Sequence, residues 1–229
     1  LMIIVFLLSL TLPLWNPIKR GNILYTLCRW WSRIWLAVIG IQHKIIYAYP
    51  HDKKRSYVFV ADHNSYMDIL QIMMSINQPL RILGKAEMRR VPIFGYIYKN
   101  ATVMVDRRNA STRAKSIKKL IQILQQGISI FIFPEGTFNE DPTIPLKDFY
   151  DGAFKIAIET QTPIKPIIFP DAVDRLHYKH ITTITPGKLR AIYLQEIPVK
   201  NYTINDVAIL KQHVKELMEK ALLKYKTYT

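Results

Sequence analysis

His63 and Asp68 are separated by four residues, and together they could move a proton. A histidine can accept a proton from a hydroxyl group near neutral pH, and a carboxylate at a fixed distance can hold the imidazole in the required tautomer. A histidine and an aspartate at this spacing also recur by chance, and a surface or helix-capping role is the alternative for an isolated pair. The surrounding elements and the other motifs of the chain must decide between these roles.

The pair lies between a predicted strand and a predicted helix, a position where α/β proteins keep their chemistry. The apolar run 57–61 is typical of a buried strand, and the run 67–76 that follows is helix-like. Apolar runs and amphipathic segments then alternate, which predicts an α/β fold with a mostly parallel central sheet flanked by helices. The other expected strands are 81–83, 102–105, 128–133, 164–169, 180–185 and 189–193, and the other expected helices are 93–99, 111–126, 152–160 and 205–224.

The first 50 residues predict an element that associates with a membrane. Residues 1–15 are almost wholly apolar but fewer than the ~20 that a membrane-spanning helix needs, and residues 22–46 have the pattern of an amphipathic helix. All four tryptophans lie in this stretch among basic residues, and no acidic residue precedes Asp52. Such a composition favours the headgroup level of an anionic membrane. A cleaved signal peptide and a buried helical hairpin are the alternatives.

We therefore expect two units, a membrane-associated helical hairpin over residues 1–50 and an α/β domain over residues 51–229. The bias towards lysine and arginine near the apolar segment predicts that the domain lies on the cytoplasmic side of the inner membrane. The single cysteine, Cys28, excludes an internal disulfide framework and a cysteine-based zinc site.

The charge balance predicts an anionic partner. The chain has 32 basic and 17 acidic residues, a formal net charge of +15. Nucleic acid, an acidic membrane surface and phosphorylated or CoA-like substrates all fit such a charge. No aromatic and basic stripe with a known reader pattern for nucleic acid is present in the sequence, so we expect no nucleic-acid partner.

Two further motifs follow predicted strands. In the segment 133–137, the proline cannot continue the strand, and Gly136 allows the backbone to approach a ligand closely. Glu135 either positions a ligand or is a solvated turn residue. Arg107 follows the predicted strand 102–105, and because arginine binds phosphate in a bidentate manner, we expect it to contact a phosphate group. A surface salt bridge with Asp106 is the alternative.

In this order, the motifs resemble the PlsC-type glycerophospholipid acyltransferases, the 1-acyl-glycerol-3-phosphate O-acyltransferase family. The family's first block, Asn-His-x-Ser-x-x-Asp, is matched by residues 62–68, and its third block, Phe-Pro-Glu-Gly-Thr-Arg-Ser, by residues 133–139. The second block, Gly-x-x-Phe-x-x-Arg, is loosely matched by residues 101–107, and the proline-rich fourth block by residues 163–167. The first and third blocks together are specific, whereas the second and fourth are weak alone.

The resemblance implies transfer of a fatty acyl group from a thioester, acyl-CoA or acyl-carrier protein, to the hydroxyl group of a lysophospholipid such as 1-acyl-glycerol-3-phosphate. In this role His63 is the general base and Asp68 its orienting partner. Neither a metal ion nor a resident cofactor is expected. The implied substrate-binding residues are Ser65, Lys85, Arg107, Glu135, Gly136 and Thr137.

Two departures from the family pattern bear on the acceptor. Asp62 stands where the family has asparagine, and Phe138 stands where it has arginine. The second change removes a possible phosphate contact, so either Arg107, Lys85 or Lys147 supplies the cation or the acceptor carries no phosphate. The open alternatives are O-acylation of a lyso-aminolipid, a non-catalytic membrane lipid-binding protein, and a metal-dependent phosphohydrolase built on the scattered carboxylates.

Overall fold

The computed structural model describes residues 16–92, 94–106, 109–179 and 182–226. Within these residues a seven-stranded sheet has the order β1-β7-β6-β2-β5-β3-β4. All neighbouring strands are parallel except β6 and β7. This arrangement confirms the predicted α/β fold with a mostly parallel sheet. The strands are β1 (Ile41–Tyr47), β2 (Val58–Ala61), β3 (Leu80–Lys85), β4 (Thr102–Val105), β5 (Ser129–Ile132), β6 (Ile164–Ile168) and β7 (Gly187–Tyr193).

Helices cover both faces of the sheet, which explains why its central strands are apolar on both sides. Val58 and Val60 of β2 pack into the core on one face, whereas Phe59 packs into the core on the other. The first of these cores is covered by α4 (Ala110–Gln125), α5 (Gly152–Thr160) and α7 (Val207–Lys226). The opposite face carries α1 (Pro17–Val38), α2 (Met67–Ser75), α3 (Phe94–Ala101) and α6 (Ala172–Arg175).

The chain reverses its direction across the sheet between β2 and β5, which are neighbours. After β2 the chain continues through α2 on one face, and after β5 it continues to α5 on the other. Loops that leave two adjacent parallel strands towards opposite faces open a crevice at the carboxyl ends of those strands. His63 follows β2 and Glu135 follows β5, so the fold brings the first and third sequence motifs to this crevice.

The N-terminal prediction is wrong in one respect. The helix expected over residues 22–46 ends at Val38, and residues 41–47 form β1, which pairs in parallel with β7 at the edge of the sheet. Gly40, at φ 72°, allows the turn between the helix and the strand. Residues 1–15, expected to form the first helix of a hairpin, lie outside the described residues. In the part of the chain that the structure describes, no helix combines the length and apolar character needed to cross a bilayer.

The strand expected over residues 180–185 is not formed by the residues described there. Ile184 makes a single antiparallel bridge with Leu176, and the regular strand begins only at Gly187. Residues 180 and 181 lie outside the described residues.

Helix α1 is fixed to the domain by a buried arginine. The guanidinium group of Arg81, in β3, donates to the carbonyl oxygen of Ile18 and to Asn22 Oδ1, each at 2.9 Å. Gly21 allows this approach, because a Cβ atom at that position would lie 2.2 Å from Arg81 Nη2. The hydroxyl group of Tyr25 adds a bond of 2.9 Å to the carbonyl oxygen of Ile76. Polar contacts as well as apolar packing therefore hold α1 on the sheet.

Replacing Arg81 tests this attachment. The Arg81→Met variant keeps a long apolar side chain but leaves the half-buried acceptors on α1 without their charged donor, so we expect the free energy of unfolding to fall by about 2 kcal/mol. Urea unfolding followed by tryptophan fluorescence measures the change. Lys44→Met, at an exposed position of β1, is the matched control and should unfold like the parent. Equal stability of the two variants would contradict the assignment.

Candidate active site

The site is built around a hydrogen bond between His63 and Asp68. The distance from His63 Nδ1 to Asp68 Oδ2 is 2.9 Å, and Asp68 is fully buried while 16% of the His63 side chain is exposed. An ionised carboxylate can only accept, so Nδ1 carries the proton and the lone pair lies on Nε2. The two side chains meet although four residues lie between them, because His63 is in the loop after β2 and Asp68 is in the first turn of α2. The pair can therefore present a neutral imidazole as a base.

The carboxylate of Asp68 also shapes the loop that carries the histidine. Asp68 Oδ2 accepts from the backbone N–H groups of Asn64 and Ser65, both at 2.9 Å. A carboxylate near a helix N-terminus is further stabilised by the helix dipole. One oxygen atom thus fixes both the imidazole ring and the backbone on which the ring is mounted.

Aromatic rings hold the imidazole of His63 on two sides. Phe133 stacks on it with the ring centroids 3.8 Å apart, and Phe138 meets it edge-on at 4.4 Å. Phe138 also contacts Tyr66 at 4.9 Å and Tyr178 at 6.2 Å between centroids. The residue that departs from the family arginine is thus packed directly against the histidine. The side chain at position 138, beside the imidazole, is therefore an aromatic ring, whereas the resemblance implies a guanidinium group there.

Glu135 connects the backbone segments on which the site is built. Its Oε1 accepts from the backbone N–H of His63 at 2.9 Å, and its Oε2 accepts from the backbone N–H of Lys147 at 2.8 Å. The side chain is buried, and this burial raises the pKa of Glu135 to about 7. That Glu135 binds the acceptor headgroup stays a prediction; in the structure its two oxygens join the backbone of the site.

The expectation that Ser65 binds substrate also stays a prediction, and the structure gives its hydroxyl group partners within the protein. Its side chain is fully buried, and its hydroxyl group donates to the carbonyl oxygen of Leu176 while accepting from the backbone N–H of Met67. These bonds begin α2 and attach the loop to the segment after α6. A hydroxyl group engaged in this way cannot act as a nucleophile.

The other expected substrate-binding residues differ in their exposure and in their contacts. Gly136 is buried at φ 75° in the turn after β5, and its backbone lines an apolar cavity. Thr137 is exposed, and its Oγ1 accepts from Lys147 Nζ at 3.0 Å. Lys85 lies at the carboxyl end of β3 with its side chain exposed. Arg107 lies outside the described residues.

A cavity of about 410 Å³ extends from the turn after β5 into the apolar layer beneath it. Its lining is mainly aliphatic and comes from β3, β4, β5, α4 and α5. Phe133 and Gly136 line the cavity, and Phe133 also stacks on His63. Phe133 therefore lies between the cavity and the imidazole, and His63 itself is not a lining residue. Sequence motifs did not indicate this cavity, because its lining residues come from five elements and have ordinary core character.

Asp62 precedes His63 in the chain, and the sequence did not reveal that its side chain is buried. It is fully buried, with Oδ1 accepting from the backbone N–H of Phe169 and Oδ2 accepting from the side chain of Asn64. Burial, with smaller contributions from the charges of Asp68 and Glu135, raises the pKa of Asp62 to about 8. Asp62 therefore holds a proton at neutral pH and is then close in charge to the asparagine that the resemblance implies here. Within the described residues, no group of three His, Cys, Asp or Glu side chains is arranged to hold a metal ion.

Comparison with known proteins gives the family. The family model described as Acyltransferase matches residues 42–170. The 1-acyl-sn-glycerol-3-phosphate acyltransferase of Haemophilus influenzae is 26% identical over 212 residues, which cover 90% of this chain and 83% of that protein. The human 1-acyl-sn-glycerol-3-phosphate acyltransferase alpha is 26% identical over 181 residues, 78% of this chain and 63% of that protein.

A solved structure has the same fold. The crystal structure of the 1-acyl-sn-glycerophosphate acyltransferase PlsC from Thermotoga maritima matches with a TM-score of 0.73 at 21% identity, covering 97% of this chain and 87% of that chain. The chain therefore belongs to the acyltransferase family, and the resemblance of its motifs to PlsC-type enzymes is confirmed.

The raised pKa of Asp62 predicts a pH-dependent stability. The native pKa of about 8 exceeds the ordinary value of 3.8, so the folded chain retains a proton that the unfolded chain releases between these values. Stability from this group is thus complete below pH 4 and is lost as the pH rises towards 8. Asp62→Asn removes this ionisation. The free energy of unfolding of the variant minus that of the parent should therefore be larger at pH 8 than at pH 5, by more than about 1 kcal/mol.

Urea titrations at the two pH values measure this gain. Asp52→Asn, at an exposed position in the loop before β2, is the matched control and should follow the parent at both pH values. A constant difference between Asp62→Asn and the parent across the range would contradict the prediction.

Proposed function

We propose that the chain transfers a fatty acyl group from a thioester donor to the free hydroxyl group of a lysophospholipid, 1-acyl-glycerol-3-phosphate, to give the phosphatidate. The observation that carries the proposal is the hydrogen bond of 2.9 Å between His63 Nδ1 and Asp68 Oδ2, which leaves Nε2 as a base in the crevice. The names of the relatives supply the acceptor, since the proteins from Haemophilus influenzae and human are 1-acyl-sn-glycerol-3-phosphate acyltransferases.

In the proposed reaction His63 is the general base and Asp68 its orienting partner. His63 Nε2 removes the proton of the lipid hydroxyl group as its oxygen attacks the thioester carbonyl carbon. A carbon–oxygen bond forms, the carbon–sulfur bond breaks, and the thiolate leaves and takes the proton from the imidazolium. Asp68 stabilises the imidazolium during this step, as the aspartate does in a serine-protease triad. The engagement of the Ser65 hydroxyl group supports direct transfer without an acyl-enzyme.

The apolar cavity beside the base fits the acyl chain of a substrate. Its volume of about 410 Å³ and its aliphatic lining would remove hydrocarbon from water, at about 0.8 kcal/mol for each buried methylene group. Phe133 lies at the junction, because it lines the cavity and stacks on His63. A chain seated in this cavity would place its carbonyl or ester end near the imidazole.

An anionic membrane surface is the proposed location of the reaction, on the cytoplasmic side of the inner membrane. Trp30, Ile34 and Val38 are spaced by four residues on α1 and are exposed to 60%, 42% and 76%. That spacing places them on one stripe of the helix. Arg33 is exposed next to Ile34 on the same helix and would meet anionic headgroups. The donor is acyl-CoA or acyl-carrier protein, and its acidic groups fit the net charge of +15. No metal ion or resident cofactor has a role in this reaction.

A lyso-aminolipid is the second candidate acceptor, and the packing of Phe138 favours testing it. The phenyl ring at 4.4 Å from the His63 ring provides no charge for a phosphate group. The same base could remove a proton from the hydroxyl group of an acceptor with another headgroup. The non-catalytic lipid-binding alternative does not account for the buried carboxylate that orients the imidazole.

Removing the base tests the reaction. His63→Ala should lower the rate of acyl transfer by at least about 10²-fold, because the hydroxyl group loses its proton acceptor. The assay uses labelled acyl-CoA and acyl-carrier-protein donors with lysophosphatidate and a lyso-aminolipid as acceptors. His213→Ala, at an exposed position on α7, is the control and should retain the parental rate. Parental activity of the folded His63→Ala variant would refute the assignment of the base.

Replacing the orienting carboxylate gives a separate prediction. Asp68→Asn keeps the size of the side chain. Its carbonyl oxygen can still accept hydrogen bonds from the imidazole and the backbone N–H groups, but it carries no negative charge. We expect the maximal rate to fall about 10²- to 10⁴-fold with little change in the Michaelis constant for either substrate, because the imidazolium loses its stabilising partner. Steady-state kinetics measure both constants. A purely structural role would instead lower the amount of folded protein and leave the remaining activity per folded molecule intact.

A further inference from the structure

The ammonium group of Lys147 lies on the loop that supports His63. Its Nζ atom donates to Thr137 Oγ1 at 3.0 Å and lies 3.5 Å from the carbonyl oxygen of Phe138. Phe138 in turn packs against the imidazole ring of His63 at 4.4 Å. The backbone N–H of Lys147 and that of His63 are bound by the two oxygens of Glu135. The positive charge and the base are therefore mounted on one rigid support.

Lys147 differs from the other lysines around this loop in its partners. Lys211 forms an ion pair with Asp151, and Lys215 forms one with Asp148, both at 2.8 Å. Within the ranges that the structure describes, no carboxylate lies within ion-pair distance of Lys147 Nζ, which contacts only neutral oxygens. A half-buried ammonium held by neutral groups keeps much of its positive potential for an incoming anion.

The surroundings of Lys147 have room for such an anion. Thr137 and Lys147 both line an open depression of about 640 Å³ beside the turn after β5, whose other charged lining residues are Lys215, Glu135, Asp148 and Glu219. Thr137 Oγ1 accepts from the ammonium group, and in the described chain its own proton is not donated to another protein group. An ammonium and a hydroxyl donor next to each other match the oxygens of a phosphate ester.

We propose that Lys147 and Thr137 form the site that binds a phosphate group of a substrate during acyl transfer. This assignment rests on the proposed function. It identifies Lys147 as the cation of the phosphate site, because position 138 carries a phenyl ring and no charge. The phosphate belongs either to the headgroup of the acceptor lipid or to the CoA or phosphopantetheine part of the donor. Both sources have the same chemistry at this site, and kinetics separate them.

The kinetic test uses Lys147→Gln, which keeps a hydrogen bond to Thr137 but loses the charge. We expect the Michaelis constant for the phosphate-bearing substrate to rise roughly 10- to 100-fold, the usual effect of losing a charge-assisted hydrogen bond. If the acceptor supplies the phosphate, the constant rises for lysophosphatidate but not for the donor, and turnover of a monoacylglycerol is unaffected. If the donor supplies it, the constant for acyl-CoA rises with either acceptor.

Two control variants make the kinetic result specific. Lys215→Gln changes a lysine that lines the same depression but is paired with Asp148, and it should leave both Michaelis constants unchanged. Lys147→Arg keeps the positive charge and should restore most of the affinity. An equal rise in the Michaelis constants for lysophosphatidate and for monoacylglycerol themselves, or no rise in any Michaelis constant in Lys147→Gln, would overturn the proposal.

A binding measurement separates this proposal from the proposed function. Calorimetry in the His63→Ala background, where turnover is removed, compares lysophosphatidate, acyl-CoA and monoacylglycerol with and without Lys147→Gln. Weaker binding of a phosphate-bearing ligand alone supports the site even if no acyl transfer is detected with any acceptor. Unchanged binding of all three ligands overturns the site even if acyl transfer is confirmed.

Discussion

A single buried carboxylate determines how the crevice is assembled. Glu135 accepts one backbone N–H from the loop after β2 and another from the loop before α5, so it joins segments that leave the sheet towards opposite faces. The crevice between β2 and β5 exists because of the reversal in strand order, and Glu135 joins its two rims together with the bond of 2.8 Å from the backbone N–H of Asn139 to the carbonyl oxygen of His63. Burial raises the free energy of the ionised carboxylate, and the two N–H donors offset part of that cost.

The imidazole of His63 is held by two aromatic rings and one carboxylate. Stacking on Phe133 and edge contact with Phe138 fix the plane of the ring. The bond of Asp68 to Nδ1 places a fully buried carboxylate next to the ring, which is the partner that the positive charge developing during proton transfer requires. The aromatic wall supplies no such charge, so the orienting role falls to the carboxylate.

The sequence could predict the parts of the fold and site that depend on local pattern. The apolar runs of β2 and β5 identified the sheet, and His63 and Asp68 could be paired because they are five positions apart. The structural contacts of Glu135 and Ser65 could not be predicted, because Glu135 bonds His63 at a separation of 72 residues and Ser65 bonds Leu176 at a separation of 111, and no local pattern indicates such partners. Residues 41–47 were expected to continue a helix, since their alternation is weak and only the pairing with β7 makes them a strand.

The attachment of the loop 62–65 to distant segments has a consequence during synthesis of the chain. Asp62 accepts from the backbone of Phe169, and Ser65 donates to the carbonyl oxygen of Leu176, so each buried group lacks one of its partners until those residues have been made. Until then the loop must stay hydrated, because burial without these partners is unfavourable. The neighbouring strand β2 likewise gains its partner β6 only when residues 164–168 have been made, so the loop that carries His63 reaches its final geometry only after residue 176 has been added.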